Sequence, residues 1–560
     1  MPIAHRCAAP LAAALVLAAC GSSGPDLSPP VDCSTASTTL LTPGQATIFD
    51  ASSQGCLRLP PPGAGGAEYL YFAGITDGEV TSVGSSTTYQ LYGAPSQAAA
   101  RAARISLPSA ALRQGAPARA FHGRLRSMER QAARESARAG GSAALRGPAA
   151  AVQPPAVGDK RAFNVLADGT SDGTKASDYL QVNATVQYVG AHTALYLDDV
   201  APAPTYSPDD IQALGTMFDS YLYPIDTTAF GRESDIDQNG VVLILLTDRV
   251  TKIVPCDGES QIIGFFLPFD LVPSHAGSNS GEVFYGLVPD ASCNVSVEGA
   301  RFSLPPVMVH EFQHMISFNQ HALARGGHVE ETWLNEGLSS FAEELGGRLV
   351  PDASCANNDC LTQFSLINLD NAQRYLSDPV GNYLVGPDRV PIPLGEYGSG
   401  WLFVRWLLDH YATTATLGTD LTRKLDGTTR TGMDNVVNAT GADFPSLVVH
   451  WQLANYLDGL PGFTPADPRD QYLSWNFRDA YASLHASYPG LFPSVYPLDP
   501  PTATDGRFEE TGTLLAGSGL HLLIDLTPDG AGANLALTDT DGSSALPSGA
   551  GPRIGLVRIR

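Results

Sequence analysis

The chain has 560 residues, 43% of them hydrophobic, with 57 acidic against 33 basic side chains and a formal net charge of −24. That length exceeds a single compact core and predicts two to four domains, while the apolar content describes a folded chain rather than a disordered one. The acidity excludes nucleic acid as the main partner, since phosphate binding needs clustered positive charge, and no run of eighteen apolar residues predicts a spanning helix.

Residues 1–20 read as an export signal: "MPIAHRC" is a short positive start, and "AAPLAAALVLAAC" is a brief apolar run. Leu17-Ala18-Ala19-Cys20 resembles the lipobox of bacterial lipoproteins. It implies acylation at Cys20, with an ordinary signal cut near Ala19 as the alternative. Residues 21–32 then form a flexible tether. Gly21 stands where similar lipoproteins kept at the inner membrane carry aspartate, so the expected location is the outer membrane or surface of a bacterial cell envelope, or the medium. Membrane contact is expected only through the lipid. The six remaining cysteines are an even number, as structural disulfides in an oxidising compartment require. Pairing of neighbours gives Cys33–Cys56, Cys256–Cys293 and Cys355–Cys360.

Short alternating stretches over residues 33–95 predict a small β-domain. Residues 96–156 change character: ten arginines face two glutamates. A solvated linker and a pro-segment held by charge to an acidic catalytic domain are the two readings. Residues 157–300 predict strands at "FNVLA", "LQVNATVQYVG", "TALYLDDV", "GVVLILLTDRV" and "GEVFYGLVP", with a helix capped by Ser207. Residues 301–500 are mainly helical in pattern, and 501–560 return to β-structure.

The chemistry concentrates in "VMVHEFQHMISFNQH", residues 307–321. His310-Glu311-Phe312-Gln313-His314 fits H-E-x-x-H. On a helix, His310 and His314 share a face one turn apart and can hold one ion at about 2.0–2.1 Å. Glu311, about 100° around, can reach a water held by that ion. Pro305-Pro306 suits a helix start. Gln320 stands where a third histidine of the extended motif would fall, which leaves His321 as a surface or outer residue. In "EETWLNEGLSSFAEEL", Glu336 is the candidate third ligand on a second helix. Glu343, two turns on, could accept the outward N–H of a ligating histidine. Asn335 is a second supporting candidate.

Together, "HEFQHMISF" and "WLNEGLSSFAEEL" resemble the gluzincin metallopeptidases, and most of all the hyicolysin-type bacterial neutral metallopeptidases. The resemblance covers roughly residues 157–500. It implies one zinc ion held by His310, His314 and Glu336, Glu311 as catalytic base, and peptide or protein as substrate. A tyrosine at a comparable distance in similar enzymes makes Tyr397 the candidate oxyanion donor. The Gly-x-Met-Glu-Asn segment of gluzincin aminopeptidases is absent, which favours an endopeptidase. The expected fold class is α+β: a gluzincin-type domain with a twisted sheet, the H-E-x-x-H helix and a helical subdomain, flanked by two small β-domains. The strand over 281–289 is expected to offer its edge to an extended peptide.

Asp235-x-Asp237-x-Asn239-Gly240 matches the first half of a calcium loop, but Leu246 stands at the twelfth position, so the readings are a polar turn or a Ca2+ site. No complete phosphate-cradling glycine motif occurs. The functional alternatives are a silent gluzincin scaffold that serves adhesion, and an aminopeptidase.

Overall fold

The computed structural model describes residues 33–96, 116–140, 153–256, 261–413 and 417–560. The signal over 1–20, the tether over 21–32 and Cys20 lie outside the described residues. In chain order come strands β1 (Ala46–Asp50), β2 (Cys56–Arg58), β3 (Ala67–Ile75) and β4 (Ser86–Pro95), then helix α1 (Ala116–Arg138). Strands β5 (Lys160–Leu166), β6 (Tyr179–Val189) and β7 (Thr193–Asp198) lead into helices α2 (Pro208–Met217) and α3 (Tyr223–Ala229). Next are β8 (Val242–Leu246), β9 (Gly264–Phe266) and β10 (Val283–Gly286), then helices α4 (Val297–Phe318), α5 (Thr332–Leu349), α6 (Cys360–Ser377) and α7 (Leu394–Tyr411). Helices α8 (Thr419–Asp426), α9 (Gly432–Thr440), α10 (Phe444–Leu457) and α11 (Phe477–Ser487) precede β11 (Thr502–Thr504), β12 (Phe508–Leu515), β13 (Gly519–Leu526), β14 (Ala533–Thr538) and β15 (Pro552–Arg558). The fold is mixed α+β. Among the described residues no helix is long and apolar enough to cross a membrane.

The two chain ends build one unit rather than two flanking ones. One sheet runs β1-β15-β3-β13-β11 and the other β12-β4-β14-β2, so N-terminal and C-terminal strands interleave in a sandwich. β3 explains how the sandwich joins the rest. Tyr69, Tyr71, Ala73 and Ile75 point into the sandwich core, while Leu70 and Phe72, on the opposite face, enter the main core. Strand periodicity puts alternate residues on opposite faces, and here both faces are apolar because both are covered. All three disulfides join neighbouring cysteines: Cys33–Cys56, Cys256–Cys293 and Cys355–Cys360.

The third sheet runs β5-β6-β7-β8-β10-β9, with β7, β8 and β10 parallel and β9 antiparallel to β10. β10 is paired on both sides, to β8 at Val283–Leu243 and to β9 at Phe284–Phe266. The segment over 281–289 therefore has no free edge for a peptide. Its continuous apolar run is the mark of a strand covered on both faces. The sheet's edges are β5 and β9, and β9 is the one that contacts Glu311.

Helix α4 carries the H-E-x-x-H residues. It starts not at the prolines but at Val297, where Ser296 accepts the Gly299 N–H at 2.9 Å. Pro305 and Pro306 sit inside it. Lacking N–H groups, they release the carbonyls of Arg301 and Phe302 four residues earlier. Gln363 Nε2 of α6 donates to both, at 3.3 and 2.8 Å. One amide thus repairs what two prolines break, and it ties α6 to the metal helix. Gln363→Leu leaves two carbonyls unsatisfied and should cost about 1–3 kcal/mol. Denaturant unfolding of the variant checks this, since an unchanged midpoint would mean the prolines need no such support.

Helix α5 is buried along most of its length, and it crosses α7 closely. A Cβ on Gly337 would lie 2.8 Å from the Gly400 carbonyl oxygen, and one on Gly400 would lie 2.8 Å from that of Trp333. These two glycines let the backbones approach and set the height of Glu336 over α4.

Candidate metal centre

Two helices meet at the site. His310 Nε2 stands 3.2 Å from His314 Nε2 and 3.4 Å from Glu336 Oε2, and the third side of the triangle, His314 Nε2 to Glu336 Oε2, is 3.6 Å. Donors around a tetrahedral zinc at about 2.0–2.1 Å are separated by about 3.3–3.4 Å. The three atoms have the spacing that one such ion requires, and they form one of two groups of metal-capable side chains among the described residues. His310 Nδ1 is held by Glu343 Oε1 at 2.7 Å, which turns the ring so that Nε2 faces the triangle. At His314, Ser339 Oγ lies 3.1 Å from Nδ1 and 3.2 Å from Nε2, and it donates to Gln313. Asn335 turns away from the ligands, its amide 3.5 Å from Glu129 of α1, so it supports the neighbouring helix rather than a ligand.

Charge in the site is sharply divided. Burial works against ionisation of Glu336, but Arg126 and the two histidines outweigh it and hold the carboxyl well below its ordinary range. Burial pushes His314 down to about 3, helped by Arg126. His310 is only half-buried; desolvation acts to lower its pKa, yet Glu336 and Glu343 raise it to about 10. A carboxylate and a neutral imidazole are thus in place as donors, and His310 is the group whose proton a cation would replace.

Glu311 is buried, and its Oε2 accepts the Phe266 N–H of the edge strand β9 at 3.0 Å. Burial, opposed by His310 and Arg126, raises its pKa. Tyr397, in the first turn of α7, lines the same cleft as His310 and Glu311. Its hydroxyl is buried with no hydrogen-bond partner among the described residues. Burial and the negative charge of Glu336 keep it protonated far above the usual tyrosine range. The cleft has a volume of about 420 Å³ and continues along Gly264, Val307 and Asn368.

The basic segment contributes a wall that its composition did not announce. Helix α1 packs over the cleft, with His122 lining it and the Phe121 ring 5.2 Å from Phe265 on the edge strand. Arg126 is buried between carboxylates: Nη1 is 2.7 Å from Glu129, Nε is 3.5 Å from Glu336, and Nη2 is 4.0 Å from Glu311. Arg130 pairs with Asp388 at the rim at 3.1 Å. The helical phase could have flagged this face, since Phe121, Leu125, Met128 and Ala132 recur at spacings of three and four.

His321 is neither on the surface nor beside the ligands. A π-turn over Asn319–Leu323 rotates it inward, where it is fully buried 3.8 Å from Glu330 and 3.7 Å from Asp426. Asp426 also accepts from Gln313 at 3.1 Å, so this cluster braces the back of the metal helix.

Asp235 and Asp237 come together with Glu282, which precedes β10. Asn239 Oδ1 is taken by the Val241 N–H at 2.7 Å, and its amide donates to Asp237 at 2.8 Å. These two bonds make Asn239 part of the turn that carries the aspartates.

No family model matches the chain. The chain is similar to the neutral metalloprotease ShpI of Staphylococcus hyicus, with 28% identity over 197 residues, which is 33% of this chain and 40% of that protein. The matched part thus spans less than half the length of that curated relative. Across that distance, the likeness supports a metallopeptidase that carries a metal ion.

Proposed function

We propose that this chain is a zinc endopeptidase of the hyicolysin-type gluzincin class, exported and anchored by lipid at Cys20 to a bacterial envelope. The observation that carries this reading is the His310–His314–Glu336 triangle, spaced for one tetrahedral ion, with Glu311 beside it. When bound, zinc supplies a polarising charge for the scissile carbonyl and brings the pKa of water towards 7. Glu311, pinned by the Phe266 N–H, removes the proton of the attacking water and passes it to the leaving amine. Tyr397 donates its hydroxyl hydrogen to the oxygen that gains charge. Glu343 holds His310 in register. An extended peptide adds to the free edge of β9.

The same reading makes residues 96–156 a pro-segment, with α1 as the part that closes the cleft. Arg126 occupies the space between Glu311 and Glu336 that water and substrate need, and Phe121 covers the strand edge. A cut after α1 would not release the N-terminal residues, because β3 and β4 each lie between two C-terminal strands. The processed body therefore stays joined to the anchored end.

Peptides separate the three functional classes. An endopeptidase cleaves an N-acetylated peptide internally, as fast as the free form. Loss of cleavage on acetylation would assign an aminopeptidase, and failure on both by processed, zinc-loaded protein would leave the adhesion reading.

A further inference from the structure

Outside the proposed peptidase centre, the carboxylate of Glu282 is buried beside two others. Glu282 is 1% exposed. Its Oε1 accepts from Ser234 Oγ at 2.5 Å and from the Ile236 N–H at 3.1 Å, while Oε2 has no donor among the described residues. Asp235 and Asp237 each offer it a further carboxylate oxygen, and the three atoms lie within 4.8 Å of one another. A buried carboxylate facing two others is unfavourable unless a cation or a proton intervenes.

We propose that Asp235, Asp237 and Glu282 form a calcium site that clamps the loop before β8 onto the start of β10. All the donors are oxygens, which selects a hard cation. Their mutual distances let all three reach one ion at about 2.3–2.6 Å, and direct binding by several carboxylates suits Ca2+ better than Mg2+, which retains its waters. The turn is built to present the two aspartates. Gln238 and Gly240 adopt φ of 59° and 77°, and the backbone N–H groups of Asn239 and Gly240 each fix one aspartate, at 3.2 Å in both cases. Gly281 belongs to the same device, since a Cβ there would stand 3.0 Å from Asp237 Oδ2. β8 and β10 are neighbours in the sheet whose edge strand β9 borders the cleft, so the ion would stiffen the frame without entering the reaction.

The test uses the full chain with zinc held constant in calcium-stripped buffer, followed by thermal unfolding and terbium luminescence. One millimolar CaCl2 should raise Tm by about 5 °C in the unsubstituted protein, as expected for a ligand well above its Kd. Asp237→Asn and Glu282→Gln should abolish both the shift and the terbium signal. No shift with calcium, an equal shift in both variants, or equal protection by magnesium would overturn the assignment. Because neither readout involves hydrolysis, the result stands apart from the peptidase reading. If Glu282→Gln fails to fold, the variant Asp237→Asn, at a half-buried loop position, decides alone.

Discussion

Glu311→Gln should lower casein hydrolysis by about 10³-fold while zinc stays near one per chain. The substitution is close to isosteric, and the glutamine oxygen can still accept the Phe266 N–H, so the edge strand keeps its anchor. What disappears is the ability to take a proton from water and return it to the departing amine. Burial, opposed by His310 and Arg126, raises the pKa of that carboxyl, as a proton acceptor beside a metal-held water requires. Steady-state hydrolysis and metal analysis on the same preparation check this. Undiminished turnover would remove Glu311 from the mechanism, whereas loss of zinc together with activity would make it structural.

Arg126→Ala in the unprocessed chain should act in the opposite direction. Arg126 is the α1 cation that contacts Glu129, Glu311 and Glu336 together, and burial already raises Glu129 to about 7. Removing the guanidinium leaves like charges facing one another in a buried space, a defect that typically costs about 3–5 kcal/mol. Undocking of α1 relieves it. By that figure, hydrolysis by the unprocessed chain should rise on the order of 10²-fold or more. Arg130→Glu, which breaks the rim pair with Asp388 and the contacts to Ser127 and Thr332 but leaves Arg126 in place, should give a smaller rise. A fall in activity with Arg126→Ala would instead make this arginine part of the working site and α1 a permanent wall.

How much of this was legible beforehand depended on how local each signal was. The spacing of His310, Glu311 and His314 is a property of one helix turn, and Glu343 follows Glu336 by two turns, so both patterns can be seen without tertiary structure. The disulfides, between neighbours in sequence, were legible for the same reason. Partners that arrive from far along the chain were not. Glu282 joins Asp235 and Asp237 only because β10 lies beside β8, and Gln363 reaches the freed carbonyls from another helix. Pro305-Pro306 reads as a start signal in a linear scan, and only a distant amide makes it tolerable inside α4. Strands of both ends looked like two separate domains because strand order is invisible in an unpaired sequence. Most costly was α1: its arginines suggested a solvated segment, but its apolar stripe carried the stronger information.

The central claim is that one transition-metal ion is held by two imidazoles and the carboxylate of Glu336. Metal analysis of purified chain and of Glu336→Gln, both dialysed against weak chelator, tests it most directly. One zinc per chain in the unsubstituted protein and well under half that in the variant is the predicted result. Equal zinc in both, or none in either, would contradict it.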